Sequence, residues 1–304
     1  MKKNFLTLGL LLLIITFVLA GCALKDKKSE IDNEKIKVVV TILPLVEFVE
    51  KVGGNRVEVE AIIPPGYEPH SYELTPNILT KISEADLYVK AGQVEFEKSS
   101  ISKIKEQNEN MEIIDGSEGI NLRNLEEHSH HEEDNDHEEK INEGEKDPHT
   151  WLSVKNAKIY TENIYEALIE LDPEDEDYYK SNKETYLAEL DKLDKYLKET
   201  LSQIKNKKMI VYHPAFGYLL DEYGFEQIAI ETEGKEPTAG QIEELINKAR
   251  AENIKIIFVQ KQFSAKNAET VASEINGLVV QIDPLAQNFT ENLEDIGNKI
   301  KENL

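Results

Sequence analysis

The spacing of apolar and polar positions switches repeatedly between a period of two and a period near three and a half. Residues 36–43 ("IKVVVTIL") form a β-rich apolar run, and residues 45–54 ("LVEFVEKVGG") carry helical spacing closed by two glycines. Residues 57–63 alternate as a half-buried strand does. A helix is expected over 76–83, a strand over 86–92, a helix over 97–108 and a strand over 111–115. Helical spacing returns at 153–171, and residues 173–204 read as one long helix. Pro173 suits a first helical position, acids fill the first turn, and Leu187, Leu190, Leu197, Leu201 and Ile204 recur along one stripe. The alternation then restarts, with strands expected at 208–212, 226–230, 254–260 and 278–283. Helices are expected between and after them at 215–223, 238–252, 264–275 and 290–302.

Strand–helix alternation of this kind predicts parallel sheets covered by helices and joined by right-handed crossovers. The expected fold class is α/β, with two parallel-sheet lobes joined by one long rigid helix. The boundaries fall at 36–172 for the first lobe, 173–206 for the joining helix and 207–304 for the second lobe.

Two stretches stand outside this pattern. Residues 1–21 have a basic start at Lys2 and Lys3, then sixteen uncharged residues from Phe5 to Ala20. This is a secretory signal, too short and wrongly flanked for a spanning helix. It ends in "LAGC", which resembles the bacterial lipobox. That resemblance implies lipid on Cys22, the chain's single cysteine, and hence attachment to the outer face of the cytoplasmic membrane. Residues 22–35 read as a polar, flexible tether. The second stretch, 126–147, holds eleven acids, two lysines and four histidines, His128, His130, His131 and His137. It cannot bury a core and is expected to be a disordered insertion in the first lobe.

Forty per cent of the 304 residues are hydrophobic, enough for real cores, and the formal net charge is −24. That charge excludes nucleic acid as a partner, because phosphate binding needs clustered Lys and Arg. The three histidines outside the acidic run keep different company. His70 lies in "PPGYEPHSYELTP", His149 in "DPHTW" and His213 in "VYHPAFGYLLDEYG". Each stands where a strand or loop leads into a helix. Asp283 ends an expected strand in "VVQIDPLAQNF". In open α/β sheets, ligands bind at the carboxyl ends of strands. Three imidazoles and one carboxylate also match the donor types and the count of a tetrahedral zinc site.

At these residues the chain resembles the metal-receptor lipoproteins of bacterial ABC importers, zinc-binding or manganese-binding substrate-binding proteins. "PPGYEPHSYELTP", "DPHTW", "HPAFGYL" and "DPL" match that family's motifs in order, and the resemblance covers residues 36–304. It implies a metal cleft between the lobes with His70, His149, His213 and Asp283 as ligands. It further implies Zn2+ as cargo, a membrane permease with its ATPase as partner, a monomer, and capture without catalysis. Manganese members usually have glutamate as third ligand, so His213 favours zinc over Mn2+. One departure is Lys98, which stands where many members carry tryptophan shortly after a glutamate. The acidic insertion is expected to bind metal weakly through His128, His130, His131 and His137. Ordering a flexible chain around an ion costs about 1–2 kcal/mol per residue in backbone entropy. Two other readings remain. A secreted zinc hydrolase would need an open metal position and a general base, and no His-Glu-x-x-His motif is present. A surface adhesin would need an exposed recognition patch.

Overall fold

The computed structural model describes residues 35–69, 71–125, 145–231 and 237–304, and residues 36–304 form one compact unit. The first sheet comprises β1 (Ile36–Val40), β2 (Val57–Ala61), β3 (Leu87–Lys90) and β4 (Glu112–Asp115). Its order is β2-β1-β3-β4, with every neighbouring pair parallel. The connecting helices are α1 (Pro44–Gly53), α2 (Pro76–Glu84) and α3 (Glu95–Gln107), followed by α4 (Val154–Leu171). The second sheet comprises β5 (Lys208–Val211), β6 (Glu226–Ala229), β7 (Ile256–Gln260) and β8 (Leu278–Ile282). It repeats the same scheme, β6-β5-β7-β8, again parallel throughout. Its helices are α6 (Gly217–Glu222), α7 (Ala239–Ala251), α8 (Lys266–Glu274) and α9 (Phe289–Asn303).

Between the sheets runs α5 (Glu176–Leu201), 26 residues and so about 39 Å long. A short 3-10 turn over Pro173–Asp175 precedes it, so the expected single helix from 173 to 204 is a turn and a shorter helix. Its buried stripe is Tyr179, Tyr186, Leu190, Leu193, Leu197, Thr200 and Leu201. Tyr186 takes the buried seat beside the half-buried Leu187, and its hydroxyl reaches Glu47 Oε1 at 3.0 Å. Local side-chain caps start three of the helices. Thr75 and Ser153 each accept from a backbone N–H three residues on, and Thr238 forms a capping box with Gln241.

The two sheets are not equally independent. Strand alternation sends Met209 and Val211 of β5, and Ile256 and Phe258 of β7, to one face. That face shares one continuous core with the first sheet and α5. Ile210, Tyr212, Ile257 and Val259 go to the other face, which makes a separate cluster with α7 and α8. The last helix also returns to the first lobe. Phe289 sets its ring edge-on to Phe48 of α1 at 4.8 Å between centroids, and the Thr290 N–H donates to Glu47. Gly297 lies against Leu197 of α5.

Candidate metal centre

In each sheet the strand order reverses at the central pair, β1/β3 and β5/β7, which opens a crevice at the carboxyl ends. The loops leaving β3, β5, β7 and β8 supply Val94, His213, Phe263 and Pro284 to one pocket, with His149, Trp151 and Ala215. Its centre is a pair of imidazoles. His149 Nε2 lies 3.0 Å from His213 Nε2, and both rings are buried.

Each ring is held from behind. His149 Nδ1 is 2.8 Å from Asp147 Oδ1, and His213 Nδ1 is 2.7 Å from Glu231 Oε1. A carboxylate can only accept, so each Nδ1 carries the proton and each Nε2 turns a lone pair toward the other. Two lone pairs so close repel unless a cation lies between them. Two nitrogens on one tetrahedral zinc, bound at about 2.0–2.1 Å, stand about 3.3 Å apart. The observed 3.0 Å is a hydrogen-bond distance, so a proton can bridge the pair, and a shared metal asks only for a slight parting of the rings.

The backbone around these rings is fixed by side chains. Gln260 is fully buried, accepts from the His213 N–H at 3.2 Å and donates to the His213 carbonyl at 2.5 Å. Gln227 accepts from the Phe216 N–H at 2.9 Å. These bonds hold residues 213–216 out of helical geometry, so α6 begins at Gly217 and not at the expected 215. Phe263 stacks on His213 with centroids 5.0 Å apart and planes 19° apart. Trp151 sits edge-on to His149, and its Nε1 donates to the Pro284 carbonyl at 2.9 Å, from the first lobe to the loop after β8. Trp151 thus packs beside His149 and ties the first lobe to the loop after β8.

Asp147 is fully buried. Burial pushes its carboxyl up, but the bonds from His149, and beyond them the Arg123 guanidinium, outweigh this and hold it below the usual carboxylate range. The sequence-based insertion ran to residue 147, yet Asn124 bridges Lys146 and the Asp147 N–H donates to the Arg123 carbonyl at 3.0 Å. Residues 145–147 therefore belong to the ordered frame of the site.

Asp283 is engaged differently. Its Oδ1 accepts from Gln262 Nε2 at 3.1 Å and from the Leu285 N–H at 3.0 Å, while its Oδ2 lies 3.3 Å from Lys261 Nζ. Among the described residues no group of three or more His, Cys, Asp and Glu side chains converges to hold a metal. The structure thus brings together His149 and His213, while Asp283, whose neighbours Pro284 and Leu285 line the same pocket, is engaged with Gln262 and Lys261. His70, His128, His130, His131, His137 and Cys22 lie outside the described residues.

The glutamate that precedes Lys98 has a distinct place. Glu97 is buried below the loop that presents Val94, where its carboxyl accepts from the Ala91 N–H at 2.6 Å, the Gly92 N–H at 2.8 Å and the Thr41 hydroxyl. Gly92 turns there with φ of 100°, a conformation that favours glycine. Burial pushes Glu97 up to about 7 against the pull of those hydrogen bonds. Lys98 itself is exposed. Sequence reasoning missed Asp147, Glu231 and Gln260 as supports. Asp147 left a local trace, since an Asp two residues before His149 can accept that residue's N–H, here at 3.0 Å.

Among the described residues no helix is long and apolar enough to cross a membrane. The family model described as zinc-uptake complex component A, periplasmic, matches residues 38–303. The high-affinity zinc uptake system protein ZnuA of Bacillus subtilis (strain 168) is 33% identical over 273 residues, covering 88% of this chain and 85% of that protein. The manganese ABC transporter substrate-binding lipoprotein PsaA of Streptococcus anginosus is 32% identical over 312 residues, covering 98% of this chain and 93% of its own length. A crystal structure of ZnuA superposes with a TM-score of 0.81 at 36% identity, covering 89% of this chain and 99% of that one. With the motif-bearing loops gathered at one cleft and the match running through both lobes, the chain belongs to the ZnuA family of zinc-uptake components.

Proposed function

We propose that this protein is the extracytoplasmic zinc receptor of an ABC importer, which captures Zn2+ in the cleft and hands it to a membrane permease with its ATPase. It is a binding component and not an enzyme. The observation that carries this reading is the facing pair of buried imidazoles, each with its second nitrogen on a carboxylate. Such a pair binds a dication without rearranging its own supports. His70, His149, His213 and Asp283 are the proposed ligands. Asp283 would exchange its contacts with Gln262 and Lys261 for the metal. Lipid on Cys22 would hold the protein, as a monomer, at the outer face of the membrane. His128, His130, His131 and His137 would add weak auxiliary binding.

The second reading is manganese, favoured by the relatives named as manganese receptors at 32% identity. Nitrogen-rich donors at the centre favour zinc, because manganese prefers more oxygen. Elemental analysis of the purified mature chain, followed by competition between Zn2+ and Mn2+, separates the two. The zinc reading requires one equivalent of tightly held zinc that excess Mn2+ does not displace. Manganese retained in preference to zinc overturns it.

A further inference from the structure

We propose that Arg123 is a positioning residue of the metal site, a clasp whose single guanidinium links the support of His149 to the helix that follows His213. The proposal rests on the zinc-receptor reading. Nη1 of Arg123 donates to Asp147 Oδ2 at 2.9 Å, and Asp147 holds the His149 ring through its other oxygen. Nε of the same guanidinium donates to Asp221 Oδ2 at 2.9 Å, in α6 of the other lobe. The planar fork of arginine gives each carboxylate its own N–H in a fixed relative orientation. The Arg123 side chain is 15% exposed and Asp147 is fully buried, so water screens their pairing weakly.

Two further observations mark the clasp as a built feature. Tyr218, one residue into α6, donates its hydroxyl to the Asp147 carbonyl at 2.9 Å and lies beneath the guanidinium at 5.9 Å. Gly217 opens the space for the guanidinium. A Cβ there would collide with the Arg123 guanidinium and come within 2.8 Å of Asp147 Oδ2. Glycine at 217 is thus required by the close approach of Arg123, since its own backbone is helical. The effect of the clasp is geometric. His149 and His213 come from different lobes, and a shared metal tolerates little drift in their separation. Tying Asp147 and α6 to one planar group fixes that separation before metal arrives, so less ordering opposes binding.

The test is zinc affinity, measured by competition with a chelator, together with the absorption spectrum of the Co2+-substituted full mature chain. Arg123→Gln should bind zinc about tenfold more weakly than the parent and change the intensity of the cobalt bands, because a supporting contact orients the ligand ring. Arg123→Lys, which reaches one carboxylate, should recover only part of the affinity. Gly217→Ala should reproduce the loss with Arg123 intact. Arg56→Gln, which removes an ion pair to Asp175 remote from the site, should leave affinity and spectrum unchanged. Unchanged zinc affinity and an unchanged cobalt spectrum in Arg123→Gln would overturn the clasp, even if the variant melts earlier. If Arg123→Gln does not fold, Gly217→Ala and Arg123→Lys decide by the same two readouts. Failure of the parent chain to bind zinc would instead overturn the receptor reading.

Discussion

The nitrogen donors and the oxygen donor proposed for the metal are prepared to opposite degrees. His149 and His213, one from each lobe, are buried, face each other, and rest on Asp147 and Glu231. Asp283 instead keeps its oxygens on Gln262, Lys261 and a backbone N–H. The histidine pair holds its geometry through Nδ1 contacts that would not compete with a metal at Nε2. The Asp283 carboxylate holds its geometry through contacts that a metal bound there would have to replace. Affinity should therefore come mainly from the histidines and their supports, with the carboxylate adding a smaller increment.

The largest expected effect follows from removing a facing ring. His213→Ala should weaken zinc binding more than about a hundredfold, beyond the usual cost of losing a support; calorimetry with a competing chelator measures it. An unchanged affinity there would remove the histidine pair from the proposed site. Next come the supports, with Asp147→Asn and Glu231→Gln each expected to cost about 10–100-fold in zinc affinity by the same titration. Asp283→Ala should cost less, about tenfold, because a water can take an open zinc position. A loss larger than that of His213→Ala would invert the comparison between the two kinds of donor.

The smallest effect concerns Glu97 and appears in stability. Its carboxyl is raised from the ordinary range to about 7, so the folded state holds a proton that the unfolded chain releases near 4.5. Its contribution is therefore fully present below about 4.5 and lost as pH rises through about 7. Glu97→Gln has no such titration. The melting temperature of the metal-free parent, relative to that variant, should fall across this window and level off above it. A constant difference would show that Glu97 does not titrate there.

The fold was largely legible because each lobe obeys simple periodicities. The strand runs at 36–43 and 254–260, and the helical spacing at 238–252, all lie where the sequence places them, trimmed by a few residues at their ends. What the pattern could not show was the use of backbone groups by distant side chains. Gln227 and Gln260 delay α6 by taking the backbone of 213 and 216, and no local spacing signals that. Tyr186 replaced Leu187 in the stripe of α5 because its hydroxyl finds Glu47, a partner 139 residues away. The same holds for the site. His149 and His213 stood out by residue type beside proline and aromatic neighbours, whereas Glu231 and Arg123 are ordinary charged residues until the chain brings them together. Asp147 alone announced itself locally. The contrast between the lobes has the same origin, since only three-dimensional packing reveals that one face of the second sheet shares its core with the first.

The most direct test is zinc-edge X-ray absorption on the zinc-loaded chain lacking residues 126–144, so that only the cleft can supply ligands. The account predicts one bound zinc with imidazole scattering, three nitrogens at about 2.0–2.1 Å and one oxygen donor. A shell dominated by oxygen with no more than one imidazole, or a chain that retains no zinc, would contradict it.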